Sequence, residues 1–203
     1  MIEPVSLSQL ASLEGGILNG DDLSFNAVSI DTRTLNQGDL FVAIRGDSFD
    51  GHNYIEQAQD ISCSGLVVED SLNCSVPSLQ VTNTTHALGA IAGINRSAFK
   101  GPVIGLTGSS GKTTTKNMLA TILNLKAPTL ATAGNFNNEI GVPLSLLMMD
   151  ENTQVAIIEM GARKKGDIAE LCEIVHPTYG IVTNTGKDHL ETFGTVENTR
   201  KTN

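Results

Sequence analysis

One segment of the chain has the residue types and spacing of a phosphate cradle: Gly105-Leu106-Thr107-Gly108-Ser109-Ser110-Gly111-Lys112-Thr113-Thr114. Glycines let successive backbone N–H groups turn toward an anion, and the partial positive charge at a helix N-terminus adds to them. Lys112 can reach the β and γ phosphates of a nucleoside triphosphate, and the Thr113 hydroxyl can bind Mg²⁺. The string departs from Gly-x-x-x-x-Gly-Lys-Thr, because Leu106 stands where the first glycine would be. A glycine-rich turn that only packs is the competing reading. Lys112 and Thr113 in the two positions after Gly111 weigh against it.

Three other segments carry chemical groups near that loop. Ile157-Ile158-Glu159 has the form of a buried strand finishing in a carboxylate. Ligands collect at the carboxyl ends of strands in open α/β sheets, so Glu159 is expected to face the crevice of the loop and to hold Mg²⁺ or its water. A helix cap or a solvated turn is the alternative for such an acid. Thr183-Asn184-Thr185-Gly186-Lys187-Asp188-His189 follows a further strand, which gives His189 the same kind of position; a surface imidazole is the bland alternative. Residues 132–143 are dense in carboxamides, with Asn135, Asn137 and Asn138, able to read an adenine edge or a carbonyl, or else to occupy left-handed turns.

These groups require elements that hold them. Residues 103–106, 155–158 and 180–183 read as strands that are apolar throughout. They alternate with helices expected over 112–125, with Met118, Leu119, Ile122 and Leu123 on one side, and over 167–175, with Ile168, Leu171, Cys172 and Val175 at helical spacing. Such alternation predicts a parallel sheet covered on both faces. The first half mixes short strands at 27–30, 40–44, 65–68 and 79–81 with helices that start after Ser6 and cover 54–61 and 84–99. Lys100-Gly101-Pro102 breaks the chain between the halves. The fold class is α/β: a small mixed domain over 1–84, then a P-loop parallel-sheet domain over 85–203.

Composition narrows the function. The chain has 203 residues with Lys+Arg 13 against Asp+Glu 22, a net charge of -9, and no long basic run. Binding to nucleic acid draws on clustered Lys and Arg, so such a partner is not expected. The three cysteines, Cys63, Cys74 and Cys172, form no Cys-x-x-Cys and point to neither a disulfide framework nor structural zinc. Met1-Ile2-Glu3-Pro4 lacks the basic start of a secretory signal, and no apolar run approaches the ~18 residues of a spanning helix. A cytoplasmic monomer without a membrane partner is the expectation.

In order and spacing, the phosphate loop, Asn137-Asn138, Glu159 and Asp188-His189 resemble the Mur ligase superfamily, the ATP-dependent amide-forming enzymes of peptidoglycan precursor synthesis. Ser29-Ile30-Asp31-Thr32-Arg33, residues 38–46 and Asp50-Gly51-His52 are similar to the uridine-nucleotide-binding domain of those ligases. Asn135-Phe136-Asn137-Asn138-Glu139-Ile140-Gly141-Val142-Pro143 and Ile158-Glu159-Met160-Gly161-Ala162 are most similar to the branch that adds D-Ala-D-Ala to UDP-MurNAc-tripeptide.

The resemblance implies ATP and Mg²⁺ as cofactors, with UDP-MurNAc-tripeptide and D-Ala-D-Ala as small-molecule substrates joined through an acyl phosphate. It assigns ATP to Gly108, Ser109, Ser110, Gly111, Lys112, Thr113, Thr114 and Asn138, and catalytic roles to Lys112 and His189. It assigns metal to Thr113, Glu159 and His189, and the uridine nucleotide to Ser29, Thr32, Arg33, Arg45, Gly46, Asp50 and His52. Arg33 and Arg45 would offer forked donors to the diphosphate. Members of the superfamily have three domains, so this chain is expected to lack part of the central domain and the whole closing domain, and to be inactive alone. Asn203 stands where a carbamylated lysine would be expected, and no such residue is carried over. The alternatives are the ligase branch that adds the third peptide residue to UDP-MurNAc-dipeptide, a stand-alone NTP-binding regulator, and a non-catalytic nucleotide-binding module.

Overall fold

The computed structural model describes residues 1–46, 49–71 and 73–185. The chain divides into two compact units, Met1–Ile94 and Asn95–Asn203.

In the first unit, β1 (Val5–Ser6) leads into α1 (Leu7–Glu14). Ser6 caps the helix by accepting from Gln9 N at 3.1 Å, and Gly15 ends it at φ 67, so the start and stop read from sequence hold. Then come β2 (Ile17–Asn19), β3 (Ser24–Phe25), β4 (Val28–Ser29) and β5 (Leu40–Val42). A 3₁₀ turn, Gly51–Tyr54, runs directly into α2 (Ile55–Asp60), followed by β6 (Gly65–Val68), β7 (Ser78–Gln80) and α3 (Thr84–Ala98), which crosses the division. The sheet order is β2-β7-β6-β5-β4, parallel except for β2, while β1 pairs separately with β3. Phe41, Ala43, Leu66 and Val68 project from one face of the sheet and pack with Leu35, Ile55, Ala58 and Cys63. Leu40, Val42, Val67 and Leu79, on the other face, are also buried, which explains why these strands read as continuously apolar.

The second unit contains β8 (Val103–Thr107), α4 (Lys112–Leu123), β9 (Thr129–Ala131), α5 (Gly141–Leu147), β10 (Val155–Glu159), α6 (Asp167–Val175) and β11 (Tyr179–Val182). Its sheet is parallel throughout, in the order β11-β8-β10-β9 among the described residues. The register sets Glu159 opposite Leu106 and Val182 opposite Thr107, so the carboxyl ends of three neighbouring strands coincide. Within this unit the Arg96 guanidinium donates to Val175 O and His176 O, each at 2.7 Å, and to Phe99 O at 3.1 Å.

Three sequence expectations change here. Met118 and Ile122 do not form the inward side of α4; both are exposed, and the residue buried on this helix is Lys116. The buried position of α4 thus carries a cation where apolarity would be the default. The helix ends at Leu123, not 125. Among the described residues, β11 is less covered than expected: Tyr179, Gly180 and Val182 are exposed.

Candidate phosphate and metal site

The loop 108–111 joins β8 to α4 by a turn that only glycine makes comfortably. Gly108 lies at φ 131, where a Cβ would overlap Thr183 Oγ1 and come within 3.0 Å of Asn184 O. Gly111 lies at φ 78 as the N-cap of α4, and no side chain caps the helix. The first-turn amides of α4 therefore keep the unmet donor capacity that an anion can use. The Lys112 ammonium folds back over the loop to Gly108 O at 2.7 Å. Thr114 is exposed in the first turn.

Ser109 and Ser110, assigned by resemblance to ATP, have their amides engaged by the end of β11. Ser109 N donates to Asn184 O at 3.0 Å and Ser110 N to Asn184 Oδ1 at 3.1 Å. Asn184 Nδ2 donates in turn to Ser110 Oγ at 2.9 Å, and Thr183 Oγ1 to Ser110 O at 2.7 Å. The end of β11 thus splints the loop. Thr183 and Asn184 were visible in the sequence only as the lead-in to His189, which, with Asp188, lies outside the described residues.

Glu159 is the centre of the site. It is 2 % exposed, and its own N–H donates to Thr132 Oγ1 at 3.0 Å. Thr113 Oγ1 donates to Oε2 at 3.1 Å, Asn137 Nδ2 to Oε1 at 3.0 Å, and the Lys116 ammonium lies 3.3 Å from Oε2. Lys116 also donates to Gly134 O at 3.2 Å. A buried carboxylate is tolerated when it is paired and hydrogen-bonded in this way. Within the carboxamide segment it is Asn137 that reaches the carboxylate. Asn138 accepts from Gly141 N at 2.9 Å and Ile140 N at 3.3 Å, setting the start of α5.

The donor set fits Mg²⁺. A hydroxyl and a carboxylate, hydrogen-bonded to each other at the mouth of a phosphate loop, are hard oxygen ligands; Mg²⁺ takes one or two such protein groups and completes its shell with phosphate and water. Thr113 can bind the ion through an oxygen lone pair while its O–H continues to donate to Glu159.

In the first unit, the residues assigned by resemblance to a uridine nucleotide lie in two segments that meet at α2. Ser29 Oγ donates to Asp31 O at 2.9 Å, and Thr32 Oγ1 donates to Gln57 Oε1 at 3.0 Å. The Arg33 guanidinium pairs with Asp31 and holds that carboxyl down at about 2. Arg45 meets three carboxylates, Asp50 and Glu69 at 3.0 Å each and Asp70 at 2.7 Å. Gly46 N closes the loop onto Phe49 O at 2.7 Å. His52 Nε2 accepts from Glu69 N at 2.9 Å, so the ring proton sits on Nδ1 and is donated to Asp50 Oδ1 at 2.7 Å. With the His52 N–H and ring as the main causes and Arg45 adding to them, Asp50 is held at about 2. Both arginine forks are thus engaged by acids of the same unit. The acids at Glu69 and Asp70, far along the chain from Arg45, carried no sequence signal for this.

Comparison with known proteins adds relatives to this geometry. A model described as "Mur ligase middle domain" matches residues 106–203, and one described as "Mur ligase family, catalytic domain" matches residues 24–95. The chain is 42% identical over 197 residues to UDP-N-acetylmuramoyl-tripeptide--D-alanyl-D-alanine ligase of Escherichia coli (strain K12), covering 97% of this chain and 44% of that one. The enzyme of that name from Bacillus subtilis (strain 168) is 38% identical, with 85% and 38% covered. Among solved structures, MurF from Acinetobacter baumannii matches with a TM-score of 0.91 at 36% identity, covering 99% of this chain and 45% of that one. MurF ligase from Thermotoga maritima in complex with ADP matches with a TM-score of 0.81 at 37% identity, covering 87% and 41%. The chain therefore spans less than half the length of these relatives.

Proposed function

The chain belongs to the Mur ligase family, and we propose that it carries the ATP- and uridine-nucleotide-binding parts of a ligase that joins D-Ala-D-Ala to UDP-MurNAc-tripeptide. The observation that carries the reading is the Thr113–Glu159 hydrogen bond, 3.1 Å, set beside Lys112 at the mouth of a glycine loop. The names of the relatives, which include both substrates, supply the reaction, and the ADP in one solved relative supports the nucleotide.

Carboxylate and amine do not condense unaided in water. Mg·ATP, when bound, would transfer its γ-phosphoryl group to the tripeptide carboxylate and leave as ADP; an amine would then add to the acyl carbon of that acyl phosphate, losing a proton as phosphate departs. The chain's own residues then have distinct tasks. The first-turn amides of α4 and the Lys112 ammonium hold the phosphates and offset charge on the transferring group. Thr113 and Glu159 hold Mg²⁺, and Asn137 with Thr132 keeps the carboxylate aimed. His189 is proposed as a ligand of a second ion near the transferred group. In the first unit, Ser29, Thr32, Arg33, Arg45, Gly46, Asp50 and His52 hold the uridine nucleotide. Asp70 is the most exposed partner of Arg45, at 63%, so Nη2 is the donor most readily passed from a carboxylate to a diphosphate.

The test is separate titration of the chain with Mg·ATP and with UDP-MurNAc-tripeptide, followed by calorimetry. Saturable binding of both is expected. ATP binding without uridine-nucleotide binding would instead favour a stand-alone NTP-binding module and overturn the substrate assignment.

A further inference from the structure

Lys116 follows Lys112 by one turn and is the residue of α4 that the fold buries, with a side chain 3% exposed. None of the nucleotide chemistry assigned above uses it. Burying an ammonium is costly, and an apolar side chain of similar size would fill the same slot without that cost. Scaffolding alone therefore does not account for a lysine here. Its two contacts do point to a role: Glu159 Oε2 at 3.3 Å and the Gly134 carbonyl at 3.2 Å. The other side-chain donors on the Glu159 carboxylate, Thr113 and Asn137, are neutral, so Lys116 supplies the positive charge there among the described residues.

We propose that Lys116 is the resident counter-cation of Glu159: it balances and aims the carboxylate before ligands bind, and it keeps free Mg²⁺ off that carboxylate until a nucleotide brings the metal. The inference rests on Glu159 being the metal-facing carboxylate of the proposed function. An ion arriving without nucleotide meets a carboxylate already neutralised and a fixed like charge beside it. Mg²⁺ is also reluctant to shed water for a single carboxylate. The phosphates of ATP change that balance, because they bring several negative charges that Lys116 does not neutralise. Lys116 is thus a positioning residue that orders binding, with metal entering together with nucleotide. Its contact with Gly134 also anchors the carboxamide segment to the same carboxylate.

The experiment is a nucleotide-free Mg²⁺ titration, read by calorimetry and by thermal unfolding, on the chain and on Lys116→Met, Lys116→Arg and the double variant K116M/E159Q. Lys116→Met is expected to bind free Mg²⁺ at least about tenfold more tightly than the unsubstituted chain, because the repelling charge is gone. Lys116→Arg should behave like the unsubstituted chain, and K116M/E159Q should show no Mg²⁺ response. If Lys116→Met unfolds in metal-free buffer, recovery of its fold by millimolar Mg²⁺ supports the role. Equal Mg²⁺ affinity with and without the lysine overturns it, as does a Lys116→Met protein that stays unfolded at every Mg²⁺ concentration. Mg·ATP binding by the unsubstituted chain separates the two levels. Binding there with no Mg²⁺ gain in Lys116→Met removes only the counter-cation role, whereas no Mg·ATP binding removes the reading of Glu159 and this role with it.

Discussion

Substituting Gly108 by alanine tests whether the phosphate loop has the shape described. Gly108 sits at φ 131, and its missing Cβ would fall on Thr183 Oγ1. Holding a non-glycine residue in so sparsely populated a region costs on the order of 1–3 kcal/mol. Relief of the overlap moves Thr183 away from Ser110 O, now 2.7 Å distant, and loosens Asn184 from Ser109, for about another 1–2 kcal/mol of hydrogen bonding. The expected loss is roughly 2–5 kcal/mol, the sum of those two contributions. Gly111→Ala is the internal control. Gly111 also has positive φ, at 78, but its Cβ would meet nothing within 4 Å, so only the left-handed backbone cost of roughly 1–2 kcal/mol applies. The chain contains no Trp, so urea unfolding is best followed by far-UV circular dichroism. Gly108→Ala should lower the urea midpoint by roughly 1–2 M and Gly111→Ala by less than about 1 M. Equal effects of the two substitutions would refute the splint between the loop and the end of β11.

Other outcomes follow from single contacts. Lys112→Met should weaken Mg·ATP binding by roughly 10- to 150-fold, the equivalent of about 1.5–3 kcal/mol for a hydrogen bond to a charged group, with little change in the unfolding midpoint; calorimetry and urea titration read the two effects. Arg96→Met leaves three carbonyl oxygens, of Val175, His176 and Phe99, without their donor, and should cost about 3–5 kcal/mol in urea unfolding. Asp31 and Asp50 sit at about 2, below their ordinary value of 3.8. Their ionised forms therefore favour the fold fully above pH 3.8, and that contribution is lost as pH falls toward 2. Urea midpoints of the chain should decline through that window, and Asp31→Asn combined with Asp50→Asn should flatten the decline.

What the sequence revealed and what it hid divide along the range of the interactions. The loop 108–111, the strand ending in Glu159 and the helix that became α3 are local patterns in which the residues carrying the signal are neighbours. Lys116 reads as an ordinary helix residue until β10 brings Glu159 beside it. Met118 and Ile122 satisfy helical spacing, but spacing does not say which side of α4 meets the sheet. Asn137 and Asn138 are equivalent in composition; only the turn into α5 decides that the first reaches the carboxylate and the second sets the helix start. Arg45 reads as an unpaired fork in the sequence because two of its carboxylate partners, Glu69 and Asp70, lie on the far side of α2. β1, β3 and β9 are two or three residues long, too short for any periodicity to show.

The central claim is that the loop between β8 and α4, with Thr113 and Glu159, is a metal-dependent site for a nucleoside triphosphate. Calorimetric titration with ATP, in Mg²⁺ and again in excess chelator, on the chain and on Glu159→Gln, tests it most directly. Saturable binding that needs Mg²⁺ and loses this dependence in Glu159→Gln is the expected result. ATP affinity unchanged by chelator in the unsubstituted chain, or no binding at millimolar Mg·ATP, would contradict it.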